Sequence, residues 1–210
     1  MFEYKGMVSN IIAAAAVLAT AIHLGGYAAY SLLVHRGHSR PNMATWVLWV
    51  SLSALNCASY FVMSDDLAKA GVAFAGAFAS TATFVFSLKR GRMSRLNSWD
   101  TVALAFGLLA AGVWIALRSA TYANIILQCG FIISMIPTYR GVIKDHAHEK
   151  ALPWFMWGTA YAINLTVVIL RWNGHPADLI YPLQSLFTHT GVGVVVLTMS
   201  RRTVPVRVPV

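Results

Sequence analysis

The sequence is poor in charge. Only 11% of its 210 residues are Asp, Glu, Lys or Arg, and the acidic residues number seven. A soluble domain carries about 25% charged residues, so a soluble enzyme or binding module is excluded as the bulk of the chain. Cysteine is scarce too. Cys57 and Cys129 both fall in apolar runs, which argues against a structural disulfide and offers no redox motif. No H-E-x-x-H, G-x-S-x-G or Walker sequence occurs. No lysine lies mid-helix in the apolar runs, which excludes a retinal Schiff base in the last of them. Paired carboxylates are missing from these runs, and acid–base catalysis usually wants them. The chain therefore reads as a non-enzyme with no cofactor. The stretch DHAHE holds His146 and His148, but an H-x-H without a third ligand at fixed spacing reads as solvated loop histidines, like His35 and His38, and no metal site is assigned.

What the sequence has in quantity is apolar length. It is 58% hydrophobic with mean hydropathy +0.62. Runs of the roughly 17–25 residues that cross a bilayer occur near 9–34, 44–62, 66–88, 100–117, 120–141, 152–170 and 177–199. The expected class is all-α polytopic, with seven transmembrane helices and the lipid bilayer as a partner. The first run is read as a retained helix, not a cleaved signal, because it has a counterpart later in the chain. Net charge is +9, and the basic residues read as topology signals, not as a nucleic-acid surface. With the N-terminus outside, 12 Lys and Arg fall on the cytoplasmic side: Arg36, Arg40, Lys89, Arg90, Arg92, Arg95, Arg140, Lys144, Lys150, Arg201, Arg202 and Arg207. Four fall outside: Lys5, Lys69, Arg118 and Arg171. This asymmetry gives N-out and C-in, and the bacterial inner (plasma) membrane is the expected location.

The chain also repeats itself. Shifting Thr45–Tyr60 by 108 positions sets Trp46 on Trp154, Trp49 on Trp157, Ser53 on Tyr161 and Asn56 on Asn164. In each copy these residues stand three, four and three apart, on one helix face. An offset of 109 sets Tyr30 on Tyr139, and one of 112 sets Lys89-Arg90 on Arg201-Arg202. Helices one to three thus repeat as five to seven. An odd helix between them keeps the two triples parallel, with a pseudo-twofold axis along the membrane normal. The expected organisation is a first triple-helix bundle over 1–90, a linker helix within 91–119, a second bundle over 120–202 and a disordered tail over 203–210. Gly71, Ala75, Gly76, Ala79 and Ser80 in the third helix read as a small-residue packing face.

The three-one-three plan and the W-x-x-W openings of helices two and six resemble the SWEET, PnuC and PQ-loop superfamily of small-solute transporters over about residues 9–202. That group typically carries a proline near the cytoplasmic side of each repeat's first helix, often as Pro-Gln. Here helix five has Pro137, helix one has Ala28 behind Gly25-Gly26, and no Pro-Gln occurs. The asparagines lie on the second helix of each repeat, not the third as in sugar-carrying SWEETs, which argues against a sugar carrier of that kind, and the W-x-x-W openings look more like PnuC-type vitamin carriers. The resemblance implies a facilitator for a small polar solute, a nucleoside-like vitamin precursor or a sugar, working by alternating access. The alternative is a PQ-loop-like scaffold or receptor that transports nothing. A homo-oligomer is compatible with either.

The candidate solute-binding residues follow from the repeat face. Asn56 and Asn164 lie ten residues, about 15 Å, past Trp46 and Trp154, near the expected midplane. They read as pocket carboxamides, with interhelical hydrogen bonding as the alternative. Trp49 and Trp157 are placed to stack on a ring, whereas Trp46 and Trp154 read as interfacial anchors. Ser53 and Tyr161 sit one turn from the asparagines. Gln128, Gln184 and His189 are polar groups in apolar runs and should face the bundle. Each has ligand contact and structural bonding as open readings, and His23 is a weaker case of the same kind. A histidine suits proton coupling, but no membrane-embedded carboxylate supports a relay, so passive flux is expected. Tyr30, Tyr139 and Pro137 are gate candidates, with an aromatic belt as the alternative for the tyrosines. Asp65 and Asp66 read as a solvated helix cap.

Overall fold

The computed structural model describes residues 2–39, 43–88, 97–145 and 149–202. The basic link at Lys89–Arg95, the tail at 203–210 and the histidines of DHAHE lie outside the described residues. Among those described there is no strand, and seven helices follow in order: α1 (Phe2–His35), α2 (Met43–Ser64), α3 (Leu67–Ser87), α4 (Ser98–Leu117), α5 (Ala120–Lys144), α6 (Ala151–Leu170) and α7 (Ala177–Arg202). All seven are long and apolar enough to cross a membrane, which marks the chain as an integral membrane protein.

Local chemistry sets the helix starts. Asp66 caps α3 by accepting from the amides of Ala68 and Lys69. Asn97 and Asp100 form a reciprocal capping box on α4, and Ser119 caps α5. Arg118 takes a left-handed conformation, φ 52°, and turns the chain from α4 into α5 within two residues. α1 begins seven residues before its apolar run, because hydropathy marks membrane length and nothing in Phe2–Val8 ends a helix.

Neighbouring in sequence is not neighbouring in space. Among the described residues the backbone of α1 does not approach that of α2, nor the backbone of α5 that of α6. Instead α3 packs against both α1 and α2, and α7 against both α5 and α6. α1 meets α6 along one seam and α2 meets α5 along another, so six helices close a ring α1–α3–α2–α5–α7–α6. α4 lies outside the ring against α5 and α2. Small residues allow the close approaches: a Cβ on Gly71 would stand 2.9 Å from Thr20 Oγ1, and one on Gly26 would stand 2.6 Å from Trp157 Nε1. The face where α1 begins is called the near face below, and the opposite one the far face.

Candidate functional site

A cavity lies inside the ring. Trp49, Ser53 and Asn56 of α2 and Trp157 and Tyr161 of α6 line it, with Tyr27 of α1, Phe131 of α5, and Gln184 and His189 of α7. Both copies of the repeated face therefore reach one chamber. Its lining holds aromatic rings and neutral polar groups, and no Asp, Glu, Lys or Arg. The free space is about 30 Å³, room for about two waters at roughly one probe sphere each. Buried side chains pack at both ends of it.

Rings close the far end. Trp46, Trp49, Trp154 and Trp157 meet in succession with centroids 5.1–6.1 Å apart, in the edge-to-face arrangement that aromatic pairs favour. Tyr30 packs beneath them, 5.4 Å from Trp46 and 6.0 Å from Trp157. Trp46 and Trp154 are only 2% and 1% exposed. They are core residues, and the interfacial-anchor expectation is corrected: their helix face turns to the ring axis, not to the membrane surface. Tyr30 is likewise buried and forms no belt. Tyr139 donates to the Thr188 carbonyl at 2.8 Å and lies on Gly191, where a Cβ would stand 2.1 Å from its hydroxyl. Pro137, two residues earlier in α5, removes the N–H that would meet the Ile133 carbonyl. Beside this closure sits Glu149, in the α5–α6 turn. Burial pushes its carboxyl up from 4.5 to about 7, which neighbouring Trp154, Lys150 and Ser39 only partly offset.

Charges close the near end. Lys69 Nζ of α3 meets Asp178 Oδ2 of α7 at 2.7 Å, the two side chains being 1% and 0% exposed. Lys69 is therefore a buried partner, not the solvated topology charge expected of it. Asp66 is more than a cap, since it also pairs with Arg171 at 2.5 Å. Tyr60 donates its hydroxyl to the Asp178 carbonyl at 2.8 Å. That carbonyl is free because Pro182, four residues on inside α7, has no N–H to give it.

The two seams differ. At the α2–α5 seam, Asn56 Oδ1 accepts from Asn124 Nδ2 at 3.0 Å and from Gln128 Nε2 at 2.9 Å, filling both its lone pairs. Asn124 also donates to Ser59 Oγ at 2.9 Å, and Gln184 donates to Gln128 Oε1 at 3.1 Å. Trp49 Nε1 donates to Ser134 Oγ at 3.2 Å. At the α1–α6 seam the equivalent groups, both carboxamide atoms of Asn164 and the Nε1 of Trp157, are buried and unbonded, and so are both ring nitrogens of His23, whose counterpart is the apolar Ile132. The offset of 109 explains why. Where α5 has Asn124, Gln128 and Ser134, α1 has Ala15, Ala19 and Gly25. Each buried, unsatisfied polar group costs about 1–3 kcal/mol.

Of the residues expected to bind solute, Trp49, Ser53, Asn56, Trp157, Tyr161, Gln184 and His189 line the chamber. Gln128 and Asn164 do not. Gln128 is buried behind Asn56 in the hydrogen-bond network, and Asn164 lies one turn beyond Tyr161 on the same face of α6. His189 Nδ1 is 2.8 Å from the Ser185 carbonyl, which fixes the proton on Nδ1. Asn124, Ser59, Lys69, Asp178 and Pro182 were not singled out by the sequence. Asn124 and Gln128 at i, i+4 were a readable signal for a shared helix face. No protein-family model, curated protein or solved structure matches this chain.

Proposed function

We propose that the chain is a transporter, a facilitator that carries a small uncharged polar solute by alternating access. The observation carrying this reading is the closed central chamber, lined from both copies of the repeat and sealed at its two ends by unlike devices. In this reading α1–α3 and α5–α7 are two parallel triple-helix bundles, spanning 1–90 and 120–202, and α4 is the linker that keeps them parallel. The ring order supports it: exchanging α1 with α5, α2 with α6 and α3 with α7 maps every ring contact onto another. Rocking the bundles would open one end while the other stays shut. The positive-inside count places the far face in the cytoplasm, with the N-terminus outside, in a bacterial inner membrane. The likeness to PnuC-type carriers belongs to this proposal. So does the solute class: stacking tryptophans beside carboxamides suit a ring-bearing nucleoside-like compound, and a sugar is the next choice.

The test is uptake by proteoliposomes of radiolabelled uridine, adenosine, pyridoxine and glucose, alongside melting of the purified protein with each. A solute held well above its Kd raises the melting temperature by mass action. One compound should both stabilise the protein and cross the membrane. A second reading, a scaffold that transports nothing, is favoured by the network around Asn56, which ties α2 to α5. It predicts that no compound does either.

A further inference from the structure

We infer that the polar pole of the solute site lies on the α1–α6 side of the chamber, at His23 and Asn164. This rests on the transporter reading. The two sides of the chamber are not equally available. On the α2 side, Asn56 Oδ1 and the Trp49 N–H are already engaged by Asn124, Gln128 and Ser134 of α5. A solute bonding to that oxygen would have to displace them. On the α6 side, His23 and Asn164 present four buried nitrogen and oxygen atoms with no partner.

Both residues adjoin the lining. The His23 ring sits 5.3 Å from Tyr27 and 5.2 Å from Tyr161, each a wall residue of the chamber. Its Nε2 stands 3.2 Å from where a Cβ on Gly76, another wall residue, would be. Asn164 follows Tyr161 by one turn on the same helix face. Native proteins rarely leave such groups unbonded, and each instance calls for an explanation. A bound solute supplies one, because binding can satisfy what the closed state leaves bare.

The donor set defines the chemistry. A neutral imidazole brings one N–H and one acceptor nitrogen, and a carboxamide brings both kinds as well. Together they match an uncharged edge carrying a donor and an acceptor side by side. A ring lactam has such an edge, and so does a pair of neighbouring hydroxyls. With no charged residue in the lining, an ionised solute has no counter-charge there.

The experiment compares Asn164→Leu, His23→Leu and Asn56→Leu in the full chain. Each is measured for melting temperature without solute, for the melting shift with uridine or glucose, and for uptake of both. Asn164→Leu and His23→Leu should melt at or above the wild-type temperature, since they remove unbonded polar atoms. They should weaken binding of the responsive solute at least tenfold. Asn56→Leu should melt lower, because it breaks a satisfied network. Uridine carries both a lactam edge and a pair of neighbouring hydroxyls, so uracil and ribose are run beside it: a response to uracil identifies the lactam edge, and one to ribose or glucose the hydroxyl pair. If the wild type responds and Asn164→Leu and His23→Leu respond equally well, the pole is elsewhere. If Asn164→Leu melts as low as Asn56→Leu, Asn164 has a structural partner and the inference falls. If the wild type responds neither to these compounds nor to adenosine or pyridoxine, the transporter reading and this one fall together.

Discussion

The chamber is shut by charge at one end and by aromatic rings at the other. At the near face, Lys69 and Asp178 form a buried pair that bridges α3 and α7. At the far face, four indoles from α2 and α6 share one contact surface. Removing one partner of the ion pair strands a buried charge, whereas the edge-to-face rings hold through many weak contacts that are lost one by one. One ring of helices is thus sealed by two kinds of force on two different helix pairs, each with its own vulnerabilities.

The largest break should come at the near face. Lys69→Ala strands the Asp178 carboxylate in the interior, and breaking a buried pair costs about 3–5 kcal/mol. Denaturation midpoints of the purified protein check this. Lys69→Met combined with Asp178→Leu should recover most of the loss, because two apolar side chains leave no bare charge. At the far face the expected loss is smaller. Trp154→Phe keeps an aromatic ring but shortens the contact, and it should cost about 1 kcal/mol by the same measurement. Smallest is Arg171→Ala. Its pair with Asp66 is 40% exposed on the arginine side, and exposed pairs are worth about 0–1 kcal/mol.

The far closure has its own pH dependence through Glu149. Its folded pKa is raised from 4.5 to about 7 by burial. The contribution is therefore fully present below pH 4.5 and lost as pH rises through about 7. Melting curves between pH 4 and 8 should show stability falling over that window. Glu149→Gln should flatten the slope, and a slope unchanged by that substitution would remove Glu149 as its source.

Part of this was readable in the sequence. The seven helices were, because membrane length is a property of composition along the chain. So was the shared face of Trp49, Ser53, Asn56 and its copy at Trp157, Tyr161 and Asn164, because a three-four-three spacing has one meaning on a helix. What a side chain on that face bonds to was not readable. Asn56 and Asn164 look alike in sequence, and only the helix across the seam, polar α5 or apolar α1, tells them apart. The Lys69–Asp178 pair was hidden for a similar reason. Its members are 109 residues apart and on different helices, so no local spacing pairs them. Burial of Trp46 and Trp154 contradicts the general preference of tryptophan for membrane interfaces, because packing against Trp49 and Trp157 outweighed it.

Pro182 carries a genetic consequence. Tyr60→Phe leaves the Asp178 carbonyl bare, since no helical N–H faces it. Pro182→Ala would return that N–H. The second substitution should therefore act as an intragenic suppressor of the first: harmful alone because it competes with Tyr60, it should restore stability when Tyr60 is already lost. A screen for revertants of Tyr60→Phe should return codon 182, on a different helix and 122 positions away in the chain.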